Sequence, residues 1–525
     1  MIPKPPFASS LSLEEEMAQF EALKPRLADV WHRLTTDDTS PYTSVIVPSL
    51  TLDQYELTKL AGATYYEERL LFLLIRLRNP RAHLVYVTSY PVHPQVLEYY
   101  LQMLAGIPAS HARARLTMIA AYDGSPRPLT EKILERPRLI ERIRCAVRNP
   151  AEAYLTVFNA TPLERKLAVL LGIPLNGCDP ALSHLGSKSG GRKVLREAGV
   201  PVPAGFEDLH TPDDIATALN DLARQRPGTR RAIVKLNEGF SGEGNAIFRY
   251  PSAPGIEAIQ DGLAGLRFVA EGETSANYLA KFAVMGGVVE EFVGGARKRS
   301  PSAQIRTSPS GEVVPISTHE QILGGDSEQI FLGARFPAEE PYRLAVQDAG
   351  VRVGAVLAKR GVVSRFSVDF LAWQDARRDP WQLAGIEINL RMGGTTHPFL
   401  ALRFLTGGSL DIATGLFRSP TGRAKYYRAT DNLRSARYQG LLPEDLIDIL
   451  TVNQLHYSER TGSGVLFHMI GALSEFGKIG LTAIANTVKE ADGLFNRVVE
   501  VLDAETSYGR APVETVPSVS SRSPG

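Results

Sequence analysis

At 525 residues the chain is too long for a single hydrophobic core, so two to four domains are expected. Its 58 Lys and Arg against 57 Asp and Glu leave a net charge of +1, which removes any electrostatic case for nucleic acid or a membrane surface. Cys145 and Cys178 are the only cysteines, too few for a disulfide scaffold or a structural zinc site, and no apolar run approaches 18 residues. With an N-terminus that lacks the apolar core of a signal peptide, the expectation is a cytoplasmic globular protein.

In chain order, residues 1–11 read as disordered. A helix follows, with Ser12 and Glu15 as a capping box and Leu13, Met17, Phe20 and Leu23 on one stripe. Strand-like runs at Ser44–Val47, His83–Thr88, Leu116–Tyr122 and Tyr154–Phe158 alternate with helix-like runs at Gln95–Leu104, Thr130–Arg148 and Leu163–Leu171. That alternation predicts a parallel, Rossmann-like sheet, and the absence of G-x-G-x-x-G after its first strand denies it a dinucleotide role. The segment from Gly186 to Lys193 opens a helix that stops near Gly199, before Pro201 and Pro203. Strands and glycines dominate 231–293, as in a small lid. Residues 304 to about 400 read as strands around one helix, Tyr342–Lys359. Beyond a link near 419–423 come a helix from Pro443 to Leu450, strands Val465–Met469 and Ile479–Ala483, and a closing helix from 488 to 503. Residues 506–525 are rich in Ser, Pro and Thr and read as disordered.

Three distant stretches carry the chemistry of a magnesium–ATP site without a Walker loop. Ile233-Val234-Lys235 precedes a glycine-rich loop containing Glu238, Gly239, Ser241, Gly242 and Gly244. A lysine at a strand end before such a loop can reach phosphate oxygens while backbone N–H groups cover them. Val288-Val289-Glu290-Glu291-Phe292-Val293 is the second stretch. In the third, Asp369 precedes Glu387-Ile388-Asn389-Leu390-Arg391; Asp369, Glu387 and Asn389 are the hard oxygen ligands Mg2+ takes when shared with phosphates. Spacing of two along a strand puts Glu387, Asn389 and Arg391 on one face, with Ile386, Ile388 and Leu390 on the other.

This order of parts resembles the ATP-grasp superfamily of carboxylate–amine ligases. The strings Tyr65-Tyr66-Glu67-Glu68-Arg69, Lys132 to Leu139, Ser300 to Arg306, Ser317 to Gly325 and Gly462 to Met469 narrow the resemblance to the pheganomycin-type peptide ligases, over residues 45 to 505. It implies an α/β and α+β chain: an N-terminal arm and helix (1–40), a Rossmann-like pre-ATP-grasp domain (41–185), an ATP-grasp domain (186–420, its lid about 205–295), a small α+β C-terminal domain (421–505) and a tail (506–525).

The resemblance also implies roles. Lys188 and Lys235 match phosphate-contacting lysines, and Glu238–Gly244 matches the lid loop. Glu290 to Val293 match the adenine hinge, with either glutamate as its carboxylate. Asp369, Glu387 and Asn389 match ligands to one or two Mg2+, with Mn2+ able to substitute, and Arg391 matches an arginine near the transferred phosphate. Ser187-Lys188 replaces a familiar Asp-Lys pair, and a long charged loop, Trp373 to Pro380, separates Asp369 from Glu387.

The implied reaction activates a small carboxylic acid or amino acid as an acyl phosphate, with release of ADP. An amine or peptide then forms the amide. Arg365 reads equally as an orienter of a substrate carboxylate or as a strand-end ion pair, and His397 as a hydrogen-bonded loop histidine. A non-amine nucleophile, or a nucleotide-binding regulatory module without turnover, are the alternatives. The sequence leaves the oligomeric state open.

Overall fold

The strand–helix alternation of the first third builds a five-stranded, all-parallel sheet. Its order is Leu116–Ala120, Ala82–Thr88, Tyr42–Val47, Ala153–Val157, Leu175–Asn176. The structure, a computed structural model, describes residues 11–52, 54–239, 244–252, 255–270, 272–324 and 330–507. The sequence expectations for 1–10 and 508–525 therefore lie outside the described residues.

The first helix, Leu13–Thr36, carries the expected capping box: Glu15 N–H donates to Ser12 Oγ at 3.2 Å and Ser12 N–H to Glu15 Oε2 at 2.7 Å. Its buried stripe is shifted toward its C-terminus. Phe20, Leu23, Leu27 and Val30 are buried, while Leu13 and Met17 are exposed. The run expected as one helix over 130–148 is two, Leu129–Leu134 and Pro137–Ala146. Pro137 holds Arg136 out of the helical region, so a new helix starts with the proline at its first position.

The second sheet is the lid: Gly205–Leu209, Gly287–Glu291, Arg231–Leu236, Asn245–Arg249 and Arg267–Phe268, each hydrogen-bonded antiparallel to the next. Helices Ile256–Gly262 and Ser275–Met285, unforeseen in this stretch, join Pro212–Gln225 on one face of it. Tyr278 and Phe282, four apart, are both fully buried, which is the helical spacing that the glycines around it hid.

The third sheet has eleven strands. At its centre Pro301–Thr307 pairs with Val313–Gly324 on one side and Ser364–Gln374 on the other, and Ser364–Gln374 pairs in turn with Gln382–Asn389. Helix Glu340–Lys359 lies across this centre, burying Val346, Ala349, Val353 and Leu357. It packs closely because two of its turns carry glycine. A Cβ on Gly350 would stand 2.9 Å from Ala303 Cβ, and one on Gly354 2.6 Å from Val313 Cγ1. The loop expected around His397 is instead the start of a further helix, Thr396–Thr406.

The sheet does not stop near residue 420. Ile330–Phe336 pairs with Ala424–Arg434, which pairs with Lys478–Ala485 and so reaches Gly464–His468. One hydrophobic core joins Leu70–Leu77 of the 3-10 helix Ala63–Arg78 to Leu446, Val465, Phe467 and Leu481. Residues far apart in sequence thus form one wall around a cleft of about 1280 Å3.

Candidate active site

Register decides the centre of the cleft. Asp369 stands opposite Glu387 on one side and opposite Ser302 on the other, and Asn389 stands opposite Ser367. A bulge between Asp369 and Phe370 leaves one extra residue, Ile386, on the partner strand. Such a bulge re-aims side chains, and both Ile386 and Glu387 line the cleft. The simple two-face reading of 386–390 therefore fails at Ile386, although Ile388 is core as expected.

Asp369 accepts from Asn389 Nδ2 and from Gln321 Nε2, each at 3.0 Å. Burial and the Glu387 carboxylate opposite raise its pKa above the usual carboxylate range. Burial also opposes ionisation of Glu387, but Lys188 overrides it, with help from Arg391 and Lys235, and holds that carboxyl low. Lys188 Nζ lies 2.5 Å from Glu387 Oε1. Burial lowers the pKa of Arg391, while Glu387 and Asp369 act to keep it charged.

Lys188 is placed by the start of helix Lys188–Glu197. Ser187 Oγ caps it by accepting from Gly190 N–H at 3.0 Å. Asn237 ties this start to the lid: its carbonyl accepts from Lys188 N–H at 3.0 Å and its Oδ1 from Ser189 N–H at 2.9 Å. One turn on, Arg192 is 1% exposed and donates to Glu207 Oε1 at 2.8 Å, to the Pro203 carbonyl at 2.9 Å and to Glu290 Oε1 at 2.6 Å. Lys235 reaches the other oxygen of Glu290. Of the two glutamates offered for the adenine hinge, Glu290 is thus fully engaged by Lys235 and Arg192. Glu291 accepts from Ala204 N–H at 2.9 Å and pairs with Arg226 at 3.2 Å.

Phe292, Val293, Ile233, Leu371 and Ile386 give this end of the cleft apolar walls, and Arg231 lies 3.9 Å from the Phe292 ring centroid. Glu238 and Gly239 are exposed at the lid edge, and a Cβ on Gly239 would stand 3.2 Å from Gly244 Cα, so the loop's two ends touch. Ser241 and Gly242 lie outside the described residues. Of the charged loop expected at 373–380, Trp373 and Gln374 end the Asp369 strand and the rest turns into the next strand, Gln382–Asn389.

Two expectations need correcting. Arg365 shares the face of Asp369, but four residues along a strand is about 13 Å. It does not line the cleft; it stands opposite Arg306, with Arg403 and Arg76 near, and burial followed by those three guanidiniums pushes its pKa down to about 9. His397 is neither in a loop nor hydrogen-bonded: it lies in helix Thr396–Thr406, 3.9 Å from the His468 ring, and both its nitrogens lack a partner among the described residues. Burial pushes its pKa down to about 3, so it is neutral.

The residues that sequence reasoning passed over are Arg192, Gln321 and Ser302. Arg192 carried a signal, four residues after Lys188 and so on the same helical face. Gln321 and Ser302 carried none, because only cross-strand register brings them to Asp369.

A family described as "IQCH-like, ATP-grasp" matches residues 180–251 and 271–413, and one described as "PGM1 C-terminal domain" matches 445–498. Over 445 residues the chain is 32% identical to an L-propargylglycine–L-glutamate ligase of Streptantibioticus cattleyicolor, covering 83% of this chain and 89% of that protein. The chain belongs to the ATP-grasp ligases. They are carboxylate–amine ligases that use ATP with Mg2+, and this chain is an enzyme of that kind. It is 23% identical to an IQ motif-containing protein H of Danio rerio, over 77% of this ligase but 42% of that protein. A biotin carboxylase of Campylobacter jejuni shares its fold at a TM-score of 0.54 and 12% identity, over 90% of this chain and 95% of that one. An N5-carboxyaminoimidazole ribonucleotide synthetase shares it at 0.50 and 12% identity, over 88% and 98%.

Proposed function

We propose that this ligase joins an amino acid carboxylate to the amine of a second amino acid or peptide in the cleft centred on Asp369 and Glu387. The observation that carries the reading is convergence: Lys188 from a helix start, Asp369 and Glu387 from adjacent strands and Arg391 beyond them meet electrostatically in one cavity. Support for amino acid substrates comes from the Streptantibioticus relative, whose name couples propargylglycine to glutamate.

The donor set fits Mg2+. Among the described residues no three His, Cys, Asp or Glu gather in a way that would hold a metal ion by themselves. Two facing carboxylates and an amide are instead an incomplete set of hard oxygens, which suits an ion whose remaining ligands are phosphate oxygens and water. Asp369, Glu387 and Asn389 would hold it, Asn389 by turning its amide so that oxygen replaces nitrogen. When bound, the ion neutralises phosphate charge. Lys188 pairs with Glu387 and Lys235 with Glu290, and phosphate oxygens would compete for both ammonium groups.

In the reaction, an oxygen of the substrate carboxylate attacks the γ-phosphorus and the bond to ADP breaks, giving an acyl phosphate. The amine nitrogen then attacks the acyl carbon, phosphate leaves, and the nitrogen loses a proton. Lys188, Lys235 and Arg391 bind and orient the phosphoryl group; Arg391 alone can fork two bonds to it. The lid keeps water from the acyl phosphate. No described helix is long and apolar enough to cross a membrane, and we place the enzyme in the cytoplasm.

The test replaces the amine by hydroxylamine, with ATP, Mg2+ and a library of amino acids and carboxylic acids. A hydroxamate with stoichiometric ADP is expected. AMP with pyrophosphate would overturn the acyl-phosphate route in favour of adenylation.

A further inference from the structure

Past Arg391 the cleft continues to an end that the nucleotide does not need. Its wall there comes from both ends of the chain: Tyr66 and Arg69 from the 3-10 helix Ala63–Arg78, Phe158, Asp431 and Arg434 from strand Ala424–Arg434, and Lys478 from strand Lys478–Ala485.

Arg69 is the anomaly. It is 5% exposed, and its guanidinium lies between the rings of Tyr66 and Phe158, at 4.4 and 4.6 Å from their centroids. That sandwich fixes its plane. One nitrogen, Nη1, is 3.2 Å from Asp431 Oδ2. The other two, Nε and Nη2, have no hydrogen-bond partner among the described residues. They form the edge of an arginine that takes both oxygens of one carboxylate. A buried guanidinium edge left without an acceptor is costly, and native proteins seldom carry one unless something supplies the acceptor. The small cavity behind it, about 10 Å3, has room for a single water and not for a carboxylate, so an anion comes from the main cleft, which Arg69 also lines.

The surrounding charge points the same way. Lys478, 5% exposed, donates to the Tyr66 hydroxyl at 2.7 Å. Burial lowers its pKa, Asp431 raises it, and Arg69 and Arg434 lower it again. Arg69, Arg434 and Lys478 thus confront a single carboxylate, Asp431, on this wall.

We infer that this end of the cleft is the recognition subsite for a substrate with two carboxylates, an acidic amino acid. Arg69 and Lys478 hold the carboxylate that does not react, and Asp431 meets the ammonium. The assignment rests on the ligase reading and names the substrate class and the residues that select it.

The experiment titrates the full-length protein, saturated with ADP and Mg2+, with L-glutamate and L-aspartate and then with L-glutamine and L-asparagine, by calorimetry. One acid is expected to bind about tenfold or more tightly than its amide, the weight of a charge-assisted fork. Arg69→Lys keeps the charge without the fork and should lose roughly tenfold in affinity for the acid; Arg69→Gln should erase the preference. Lys478→Met should reduce it, which covers an Arg69 variant that fails to fold. Asp431→Asn should weaken acid and amide alike, since both carry the ammonium. ADP affinity should hold in every variant, whereas a purely structural Arg69 would change ADP binding and thermal stability with it. Equal affinity for acid and amide in the wild type, binding of neither, or an unchanged preference in Arg69→Gln overturns the subsite. Hydroxamate formation without any acid preference sinks the subsite alone; amino acid binding without ADP release sinks the ligase reading and leaves the subsite.

Discussion

Lys188 and Glu387 meet at 2.5 Å although 199 positions part them in sequence, one at a helix start and the other on the strand facing Asp369. In the proposed reaction the pair occupies two groups needed separately, Lys188 for the phosphates and Glu387 for the metal.

Glu387→Gln should abolish turnover and leave folding nearly intact. The amide retains the shape of the carboxyl but supplies neither the charge for Mg2+ nor a counter-ion for Lys188. Phosphate release at saturating ATP and a thermal melt check this; wild-type turnover at ordinary magnesium would remove Glu387 from the metal site.

Lys235→Met should weaken ATP binding roughly ten- to a hundredfold, the worth of one charge-assisted contact of about 1.5–3 kcal/mol. The chemical step should slow with it, since in the proposed reaction Lys235 contacts the phosphates throughout. Calorimetry for affinity and single-turnover quenching for chemistry separate the two effects. Unchanged values in both would leave Lys235 a structural partner of Glu290.

Arg192→Met should destabilise the fold by about 3–5 kcal/mol, the usual penalty for stranding buried charge. The variant leaves Glu290, 2% exposed, with Lys235 alone and takes a partner from Glu207. Denaturant titration measures the loss. A change below 1 kcal/mol would mean that Lys235 alone compensates Glu290.

Glu68→Gln should flatten the dependence of stability on pH. Burial raises the Glu68 carboxyl to about 7, while the Gly471 N–H, donating to Oε2 at 3.1 Å, pulls the other way. A pKa raised in the fold means the native state binds more protons than the unfolded chain between the ordinary carboxyl value of 4.5 and about 7. Its stabilising contribution is complete below 4.5, declines as pH rises through that window, and falls no further above about 7. Denaturant midpoints from pH 4.5 to 8 should slope downward less steeply in Glu68→Gln than in the wild type. Parallel slopes would place the titration elsewhere.

The parts of the site that were legible in the sequence are those written along a single strand or at a helix start. Glu387, Asn389 and Arg391 announce themselves by alternation, and Lys235 by the glycines after it. The parallel sheet was legible for the same reason, since its strands and helices follow one another in order. Illegible were relations between strands. The bulge that turns Ile386 toward the cleft and the approach of Gln321 to Asp369 depend on register that a local pattern does not encode. Arg365 misled because the right face of the right strand is still about 13 Å from the right place.

The core shared by Leu70–Leu77 and the strands after residue 460 sets a timetable for biosynthesis. The apolar face of the early 3-10 helix leaves the ribosome long before its partners Val465, Phe467 and Leu481 are made. At ordinary synthesis rates that interval is roughly twenty seconds to over a minute, during which Leu84, Tyr86, Val96 and Leu97 can cover one side of the helix while the side that meets the late strands waits. The far wall of the cleft, with Asp431 and Lys478, arrives last. An incomplete chain can thus carry Lys188, Lys235, Asp369 and Glu387 yet lack the wall proposed for the acidic substrate.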